Sequence, residues 1–337
     1  MLKARKLLYP FSLLYDGITT LRNKFYDNGI FESQSFDLPV IAVGNLSVGG
    51  TGKSPMVEYL MHLLEEQYRV ASLSRGYKRS SKGFLLLNGK ESAAEVGDEP
   101  LQFKLKFPQA LVAVDEKRAH GIKELLKLKT PPEVIILDDA FQHRKVKAGF
   151  YILLTSYSDL YCDDLVLPAG NLRESSTGAK RADVIVVTKC PIGLSPKEQE
   201  TLKNKLQIKR GQPVFFSSIA YSKEIFGEAE PLPLKELQKR HFSLVTGIAN
   251  PKPLLDHLQK EGLKFEHIAY PDHHNFSTSE IEQLQQKELI LTTEKDFVRL
   301  KEYIPADKLF YLPIATHFIG DREKFEEAIL SFVAQQK

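Results

Sequence analysis

Cysteine is scarce in this chain: Cys162 and Cys190 are the only two among 337 residues, far apart and in no C-x-x-C arrangement. That spacing excludes a disulfide scaffold and a structural zinc site, and it suits a reducing compartment. Long hydrophobic runs are missing too. No stretch approaches the about 18 consecutive apolar residues that a membrane-spanning helix needs. No hydrophobic core followed by a small-residue cleavage site marks a signal peptide. Internal repeats and low-complexity tracts are absent. Charge is nearly balanced, with a net of +3, which excludes bulk binding to a polyanion and argues against a nucleic-acid partner. What remains is 42% hydrophobic residues in a chain longer than one average domain, enough for one large or two modest cores.

The chain is organised around Val40-Ile-Ala-Val-Gly-Asn-Leu-Ser-Val-Gly-Gly-Thr-Gly-Lys-Ser54. A β-branched run leads into a glycine loop, then Lys-Ser, then apolar positions at helical spacing through Leu64. This is the layout of a phosphate-binding P-loop. Its backbone N–H groups turn toward one anion, and the following helix adds its positive N-terminal end. The loop residues Ser47, Val48, Gly49, Gly50, Thr51 and Gly52 would cradle a nucleotide's phosphates. Lys53 would reach the outer phosphates, and the Ser54 hydroxyl would ligate Mg²⁺. The usual G-x-x-x-x-G-K-[ST] pattern wants glycine at 47, where this chain has Ser47.

The second strong signal is Glu133-Val-Ile-Ile-Leu-Asp-Asp-Ala-Phe-Gln-His143. Four apolar residues ending in Asp138-Asp139 match a Walker B strand, whose carboxylate holds Mg²⁺. Two adjacent carboxylates at a strand end repel each other unless a cation compensates.

Apolar runs at 40–45, 70–74, 110–114, 133–138, 150–154 and 184–188 alternate with helical stretches. That pattern predicts βαβ units and a parallel sheet. A second rhythm starts at 213, with strands expected at 213–219, 242–246, 264–269, 288–292 and 309–313. Residues 31–212 read as a P-loop domain and 236–307 as a smaller α/β domain. The flanking segments 213–235 and 308–317 are expected to supply two linker strands. Residues 318–337 read as a C-terminal helix.

In residues 1–30, Leu7, Phe11, Leu14, Ile18, Leu21 and Phe25 form one helical stripe bordered by Lys3, Arg5, Lys6, Arg22 and Lys24. Pro10 places the helix start at about residues 8–10. Such a helix either lies in a membrane interface or docks on its own domain.

Thr188-Lys189-Cys190-Pro191 comes close to a guanine-reading [NT]-K-x-D but has Pro191 in place of the aspartate, so ATP is favoured over GTP. A phosphoryl acceptor needs a carboxylate near the P-loop, for which Asp98 and Glu99 are candidates. His273, in Pro271-Asp-His-His274, offers an imidazole from the second domain, either for catalysis or as an ordinary surface residue. Arg173 and Glu174 read equally as acceptor contacts or as a surface ion pair. A P-loop NTPase acting as an assembly or metal-insertion switch is the competing reading to a kinase.

Seven pieces in order resemble the tetraacyldisaccharide 4′-kinase family over nearly the whole chain. They are Gly44 to Pro55, Leu73-Ser-Arg-Gly-Tyr77, Gly97-Asp-Glu-Pro100, Leu137-Asp-Asp-Ala-Phe-Gln-His143, Pro168-Ala-Gly-Asn-Leu-Arg-Glu174, Pro271-Asp-His273 and Thr293-Glu-Lys-Asp296. Serine at position 47 is typical of that family; Ala140, where glycine is common, is a mild departure. The resemblance implies two α/β units joined by a two-stranded linker, with the site in the cleft. It implies phosphorylation by ATP of the 4′-hydroxyl of an acylated glucosamine disaccharide 1-phosphate, giving lipid IVA. It also implies a peripheral, monotopic place on the cytoplasmic face of the inner membrane, with no obligate protein partner. By the same resemblance Asp98 is the base and His273 its dyad partner, with Lys53, Ser54, Asp138, Asp139 and Gln142 around the phosphates and metal. Arg75, Glu99, Arg118, His143, Asn171 and Arg173 are then contacts to sugar or 1-phosphate.

Overall fold

The parallel sheet grows from strands that are apolar at nearly every position, because helices cover both faces. In this computed structural model, which describes residues 5–336, β1 (Val40–Asn45) is buried along its whole length. Its side chains alternate: Ile41 and Val43 pack into one core layer, Val40 and Ala42 into the opposite one. Lys3 and the other residues of 1–4, and Lys337, lie outside the described residues.

Helix α1 (Tyr9–Asp27) precedes the sheet and carries Pro10 in its first turn. After β1 the chain runs through α2 (Lys53–Glu65), β2 (Val70–Ser74), β3 (Leu85–Leu86), α3 (Ala93–Val96), α4 (Asp98–Lys106), β4 (Leu111–Val114) and α5 (Arg118–Leu126). It continues through β5 (Val134–Leu137), β6 (Phe150–Ser156), β7 (Val184–Thr188), α6 (Pro196–Lys205) and β8 (Val214–Tyr221). A short hairpin, β9 (Glu224–Ile225) and β10 (Leu232–Pro233), leads to β11 (Ser243–Thr246), α7 (Lys252–Lys260), β12 (Glu266–Ala269) and α8 (Thr278–Gln285). The chain closes with β13 (Ile290–Thr292), α9 (Glu294–Leu300), β14 (Leu309–Tyr311), β15 (Ile314–Phe318) and α10 (Arg322–Gln335). Ser195 and Ser277 cap α6 and α8, each answered by a glutamate three residues on, which satisfies donors the first helical turn leaves open.

Among the described residues the strands form a nine-stranded sheet in the order β15-β8-β7-β6-β1-β5-β2-β4-β3 and a four-stranded sheet in the order β12-β11-β13-β14. β1 sits between β5 and β6, parallel to both. The glycine loop after β1 and Asp138-Asp139 after β5 therefore leave neighbouring strands at the same, carboxyl edge, where such sheets bind ligands.

The segment expected to hold two linker strands behaves in a more connected way. β8 and β15 pair antiparallel, as a two-stranded link would. β8 also pairs parallel with β7, so the link is the outer edge of the large sheet. The run 308–317 is divided between sheets: β14 joins the small one and β15 the large one, with Pro313 between them.

One buried charge cluster ties the two sheets together. Lys106 on α4 donates to Glu58 on α2 at 2.6 Å and to Glu294 on α9 at 2.8 Å. The second oxygen of Glu294 accepts from the Ile314 N–H at 3.2 Å. Burial works against the Lys106 ammonium, but Glu58 and Glu294 outweigh it and hold the charge well above its usual range. Removing one partner of a buried ion cluster leaves charge uncompensated. Lys106→Met is therefore expected to destabilise the fold by about 3–5 kcal/mol where Glu58 stays ionised, and by less where Glu58, pushed up to about 7 by burial and then by Glu294, takes a proton; the readout is a lowered midpoint of urea unfolding. A variant with Glu58→Gln added should recover part of the loss.

Candidate active site

The P-loop is shaped by two glycines. Gly52, at φ +84°, provides the left-handed turn into α2. A Cβ at Gly44 would meet the Phe141 backbone nitrogen at 2.8 Å, so only glycine lets β1 end this close to the chain leaving β5. Two side chains at and just after the end of β7 brace the loop: Thr188 donates to the Thr51 carbonyl at 2.8 Å and Lys189 to the Gly50 carbonyl at 2.6 Å. The stretch 168–174 forms the other wall. The Val48 N–H donates to the Asn171 carbonyl at 2.8 Å and the Arg173 N–H to the Leu46 carbonyl at 2.7 Å.

Below the loop lies a charged cluster. Lys53 Nζ stands 3.6 Å from Asp139 Oδ1, and Arg173 Nη1 reaches both oxygens of Asp139 at 3.0 Å. Burial opposes the Asp139 carboxylate, but Lys53 and Arg173 outweigh it and hold it below the usual range. Asp138 is the reverse case. Burial and then the Asp139 charge push it up to about 7, and its Oδ1 is buried with no hydrogen-bond partner. Arg118, itself buried, donates to the Asp115 carbonyl at 2.9 Å and the Asp138 carbonyl at 3.4 Å. Burial takes Arg118 down to about 10. His143 is pushed down to about 4 by burial and then by Arg118, so it is neutral at physiological pH.

The second cluster joins the two sheets. Asp98 begins α4, and its Oδ2 lies 3.1 Å from Nδ1 of His273, which follows β12 in the small unit. His273 sits at φ +59° and Asp139 at φ +47°, a left-handed backbone that is uncommon outside glycine and tends to occur where function demands it. The Tyr77 ring meets the His273 ring edge-on, with centroids 5.5 Å apart. Arg299 on α9 donates through Nε to Asp98 Oδ1 at 2.7 Å and through Nη2 to Oδ2. Lys295 Nζ lies 2.9 Å from His273 Nε2 and 3.7 Å from Glu99.

Arg173 and Glu174 do not pair with each other at the surface. Arg173 faces Asp139, and Glu174, only 3% exposed, accepts from Arg181 at 2.8 Å, from Gln142 at 2.9 Å and from Asn23 of α1 at 2.6 Å. Gln142 also donates to the Asn45 carbonyl at 2.8 Å, and its Oε1 is buried without a partner. Asn171 turns its side chain away from the clusters to Arg5, at 2.9 Å. Arg75 is exposed at the end of β2.

Arg299, and any part for Lys295 beyond membership of the Thr293–Asp296 motif, were missed in the sequence. The available signal was their i, i+4 spacing, which puts both cations on one face of α9.

A central glycine loop with Lys-Ser, an acidic neighbouring strand end and a carboxylate–imidazole pair define a P-loop phosphotransferase. The comparisons narrow this. The family model for tetraacyldisaccharide-1-phosphate 4′-kinase, LpxK, matches residues 4–334. Tetraacyldisaccharide 4′-kinase of Flavobacterium johnsoniae is 52% identical over 334 residues, 98% of each chain. That of Bacteroides thetaiotaomicron is 43% identical, covering 99% of this chain and 94% of its own. The crystal structure of LpxK from Aquifex aeolicus in complex with ATP is 35% identical and superposes with a TM-score of 0.80 over 98% of this chain and 99% of that one. The chain belongs to the tetraacyldisaccharide 4′-kinase family, and it is a kinase.

Proposed function

We propose that the protein moves the γ-phosphoryl group of ATP to the 4′-hydroxyl of a tetraacylated glucosamine disaccharide 1-phosphate, the step of lipid A biosynthesis that yields lipid IVA. The observation that carries this reading is the Asp98–His273 contact, a carboxylate of the nucleotide-side sheet hydrogen-bonded to an imidazole of the other sheet. A hydrolytic switch has no need of it.

Asp98 is the base. An ionised carboxylate offers about four acceptor positions. Oδ2 uses two, for His273 and Arg299, and Oδ1 uses one, for Arg299. One position on Oδ1 is left for the 4′-hydroxyl, whose proton Asp98 receives as the oxygen attacks. His273 orients the carboxylate. Lys53 and the loop N–H groups of residues 47–54 hold the phosphates and meet the negative charge that spreads over the transferring group.

The donor set fits Mg²⁺. The partnerless Oδ1 of Asp138 and Oε1 of Gln142, with Ser54 and Asp139, would hold it, and bound Mg²⁺ would offset phosphate charge. No group of three or more His, Cys, Asp or Glu gathers among the described residues, which suits a cation bound together with nucleotide phosphates and not in a cage of its own. Arg75, Glu99, Arg118, His143 and Arg173 are the candidates for the sugar and 1-phosphate, guanidinium being suited to bidentate phosphate contact. Asn171 has the weaker claim, as a support of the loop wall.

The lipid substrate is met at a membrane surface, the cytoplasmic face of the inner membrane, through α1. No helix among the described residues is long and apolar enough to cross a membrane. Phe11, Leu14, Ile18 and Leu21 are each more than half exposed, with Lys24 exposed near the end of the stripe, as on helices that lie in the lipid interface. Deleting residues 1–25 is expected to lower co-sedimentation with anionic vesicles. Phe11→Ser with Leu14→Asp, which leaves the polar contacts of the helix in place, should do the same. Unchanged partitioning in both would refute the assignment.

The decisive assay supplies γ-labelled ATP and a detergent-dispersed acyl disaccharide 1-phosphate. Label in the lipid is the expected result. Release of labelled phosphate with none in the lipid would point to a nucleotide-hydrolysing switch.

A further inference from the structure

Lys295 belongs to a motif, Thr293-Glu-Lys-Asp296, that opens α9, with Thr293 as its N-cap. Its Nζ lies 2.9 Å from His273 Nε2, while the other ring nitrogen, Nδ1, lies 3.1 Å from Asp98 Oδ2. An ammonium has three donors and no acceptor, and an ionised carboxylate has acceptors only. A neutral imidazole carries one N–H and one lone pair. Only one arrangement pairs a donor with an acceptor at both nitrogens: the lone pair on Nε2 facing Lys295 and the proton on Nδ1 facing Asp98. The other tautomer would set N–H against ammonium on one side and lone pair against carboxylate on the other.

Arg299 Nη2 also lies 3.0 Å from Nδ1, and as a donor it favours that other tautomer. However, Nε and one Nη2 hydrogen of Arg299 go to the two oxygens of Asp98 and Nη1 goes to the His274 carbonyl, so only the second Nη2 hydrogen competes at Nδ1, where the Asp98 carboxylate opposes it. At Nε2 the Lys295 ammonium stands nearer than the Asp272 carboxylate, 4.0 Å away. Lys295 is in turn held in place by Glu99 at 3.7 Å and Asp272 at 3.4 Å. The left-handed backbone at His273, φ +59°, presents the ring between the two groups.

We infer that Lys295 is a positioning residue that sets the tautomer of His273, keeping its proton on Nδ1 and so keeping a hydrogen bond on Asp98 Oδ2 that leaves Oδ1 to the acceptor hydroxyl. The inference rests on the reading of Asp98 as the base. It also explains why the imidazole comes from the small sheet: α9, which carries Lys295 and Arg299, is built on that sheet, so ring, ammonium and guanidinium travel together.

The test uses the full chain in detergent with ¹⁵N-labelled histidine. The wild-type His273 ring is expected to show a protonated Nδ1 and an unprotonated Nε2. Lys295→Met should move the ring toward the Nε2–H form and lower kcat about 10- to 100-fold, by analogy with the loss of a hydrogen-bond partner that orients a metal-bound histidine. KM for ATP should stay unchanged. Lys295→Arg, which restores a cationic donor, should recover both the tautomer and most of kcat. Unaltered signals from the other histidines will show that the Met variant is folded. An Nε2–H tautomer in the wild type, or a Met variant that keeps Nδ1–H whatever its rate, overturns the inference. The nitrogen signals do not depend on turnover. Full activity of Asp98→Asn would therefore remove the base while leaving the tautomer result standing, and the two failures can be told apart.

Discussion

Asp98→Ala is expected to lower phosphoryl transfer by on the order of 10²- to 10⁴-fold, the usual worth of a positioned general base, while ATP binds as before. The binding should survive because Asp98 makes no contact with the loop of residues 47–54: its partners are His273 and Arg299. Asp98→Asn keeps the size of the side chain and one acceptor oxygen for Arg299 but cannot take a proton, so it should lose as much. Single-turnover transfer to the acyl disaccharide, alongside ATP titration by calorimetry, separates the two effects. Normal turnover in both variants would end the base assignment. Weakened ATP affinity equal to the loss in rate would instead mean that Asp98 serves the nucleotide.

Lys53→Met is expected to lose on the order of 10²- to 10³-fold in kcat, in line with removal of one preorganised donor to developing charge. A second consequence follows from Asp139. Lys53 and Arg173 together hold its carboxylate ionised against burial. With Lys53 gone, Arg173 and, more weakly, Arg118 remain to hold it, and the adjacent Asp138, already raised to about 7, loses one of the charges that pull it down. The variant should therefore show weaker affinity for the cation–nucleotide complex as well as slower transfer, unlike Asp98→Ala. Undiminished rate would mean the loop holds phosphate without its lysine.

Much of this was legible from one chain because its strongest signals are local. The run from Val40 to Ser54 is strand, turn and helix start within fifteen residues, and Val134–Leu137 followed by two aspartates is equally self-contained. Each needs only period and turn chemistry to be read. Likewise the even burial of the strands followed from their unbroken apolar character. The Asp98–His273 pair was of another kind: its members are 175 positions apart, and no spacing rule joins them, so it entered through the family resemblance. Glu174 reads equally as an acceptor contact or as half of a surface ion pair, because nothing in its sequence neighbourhood shows that Arg181, Gln142 and Asn23 converge on it. Arg299 escaped notice for a related reason. A cation on an exposed-looking helix face is usually solvated, and only the docking of α9 against α4 turns it toward a carboxylate. The division of 308–317 between two sheets was hidden because its two strands form one nearly continuous run with Pro313 as the sole interruption.

Helix α1 is attached with its usual sides exchanged. Ser12, 3% exposed, accepts from the Ala169 N–H at 2.9 Å, Arg22 donates to the Gln142 carbonyl at 3.1 Å, and Asn23 and Asp27 meet Glu174 and Arg144. The leucines and phenylalanine point outward. An ordinary surface helix would be held by apolar burial and would surrender that burial in order to enter lipid. Here the two attachments use opposite faces, so they do not compete. Lifting the helix off the protein exposes mainly polar surface, and it should change the heat capacity and the denaturant slope very little. Covering its outer face with lipid takes nothing from the joint beneath. With the outer face in lipid, as proposed, the protein would come and go from a bilayer without disturbing the wall of the phosphate loop that the same helix supports.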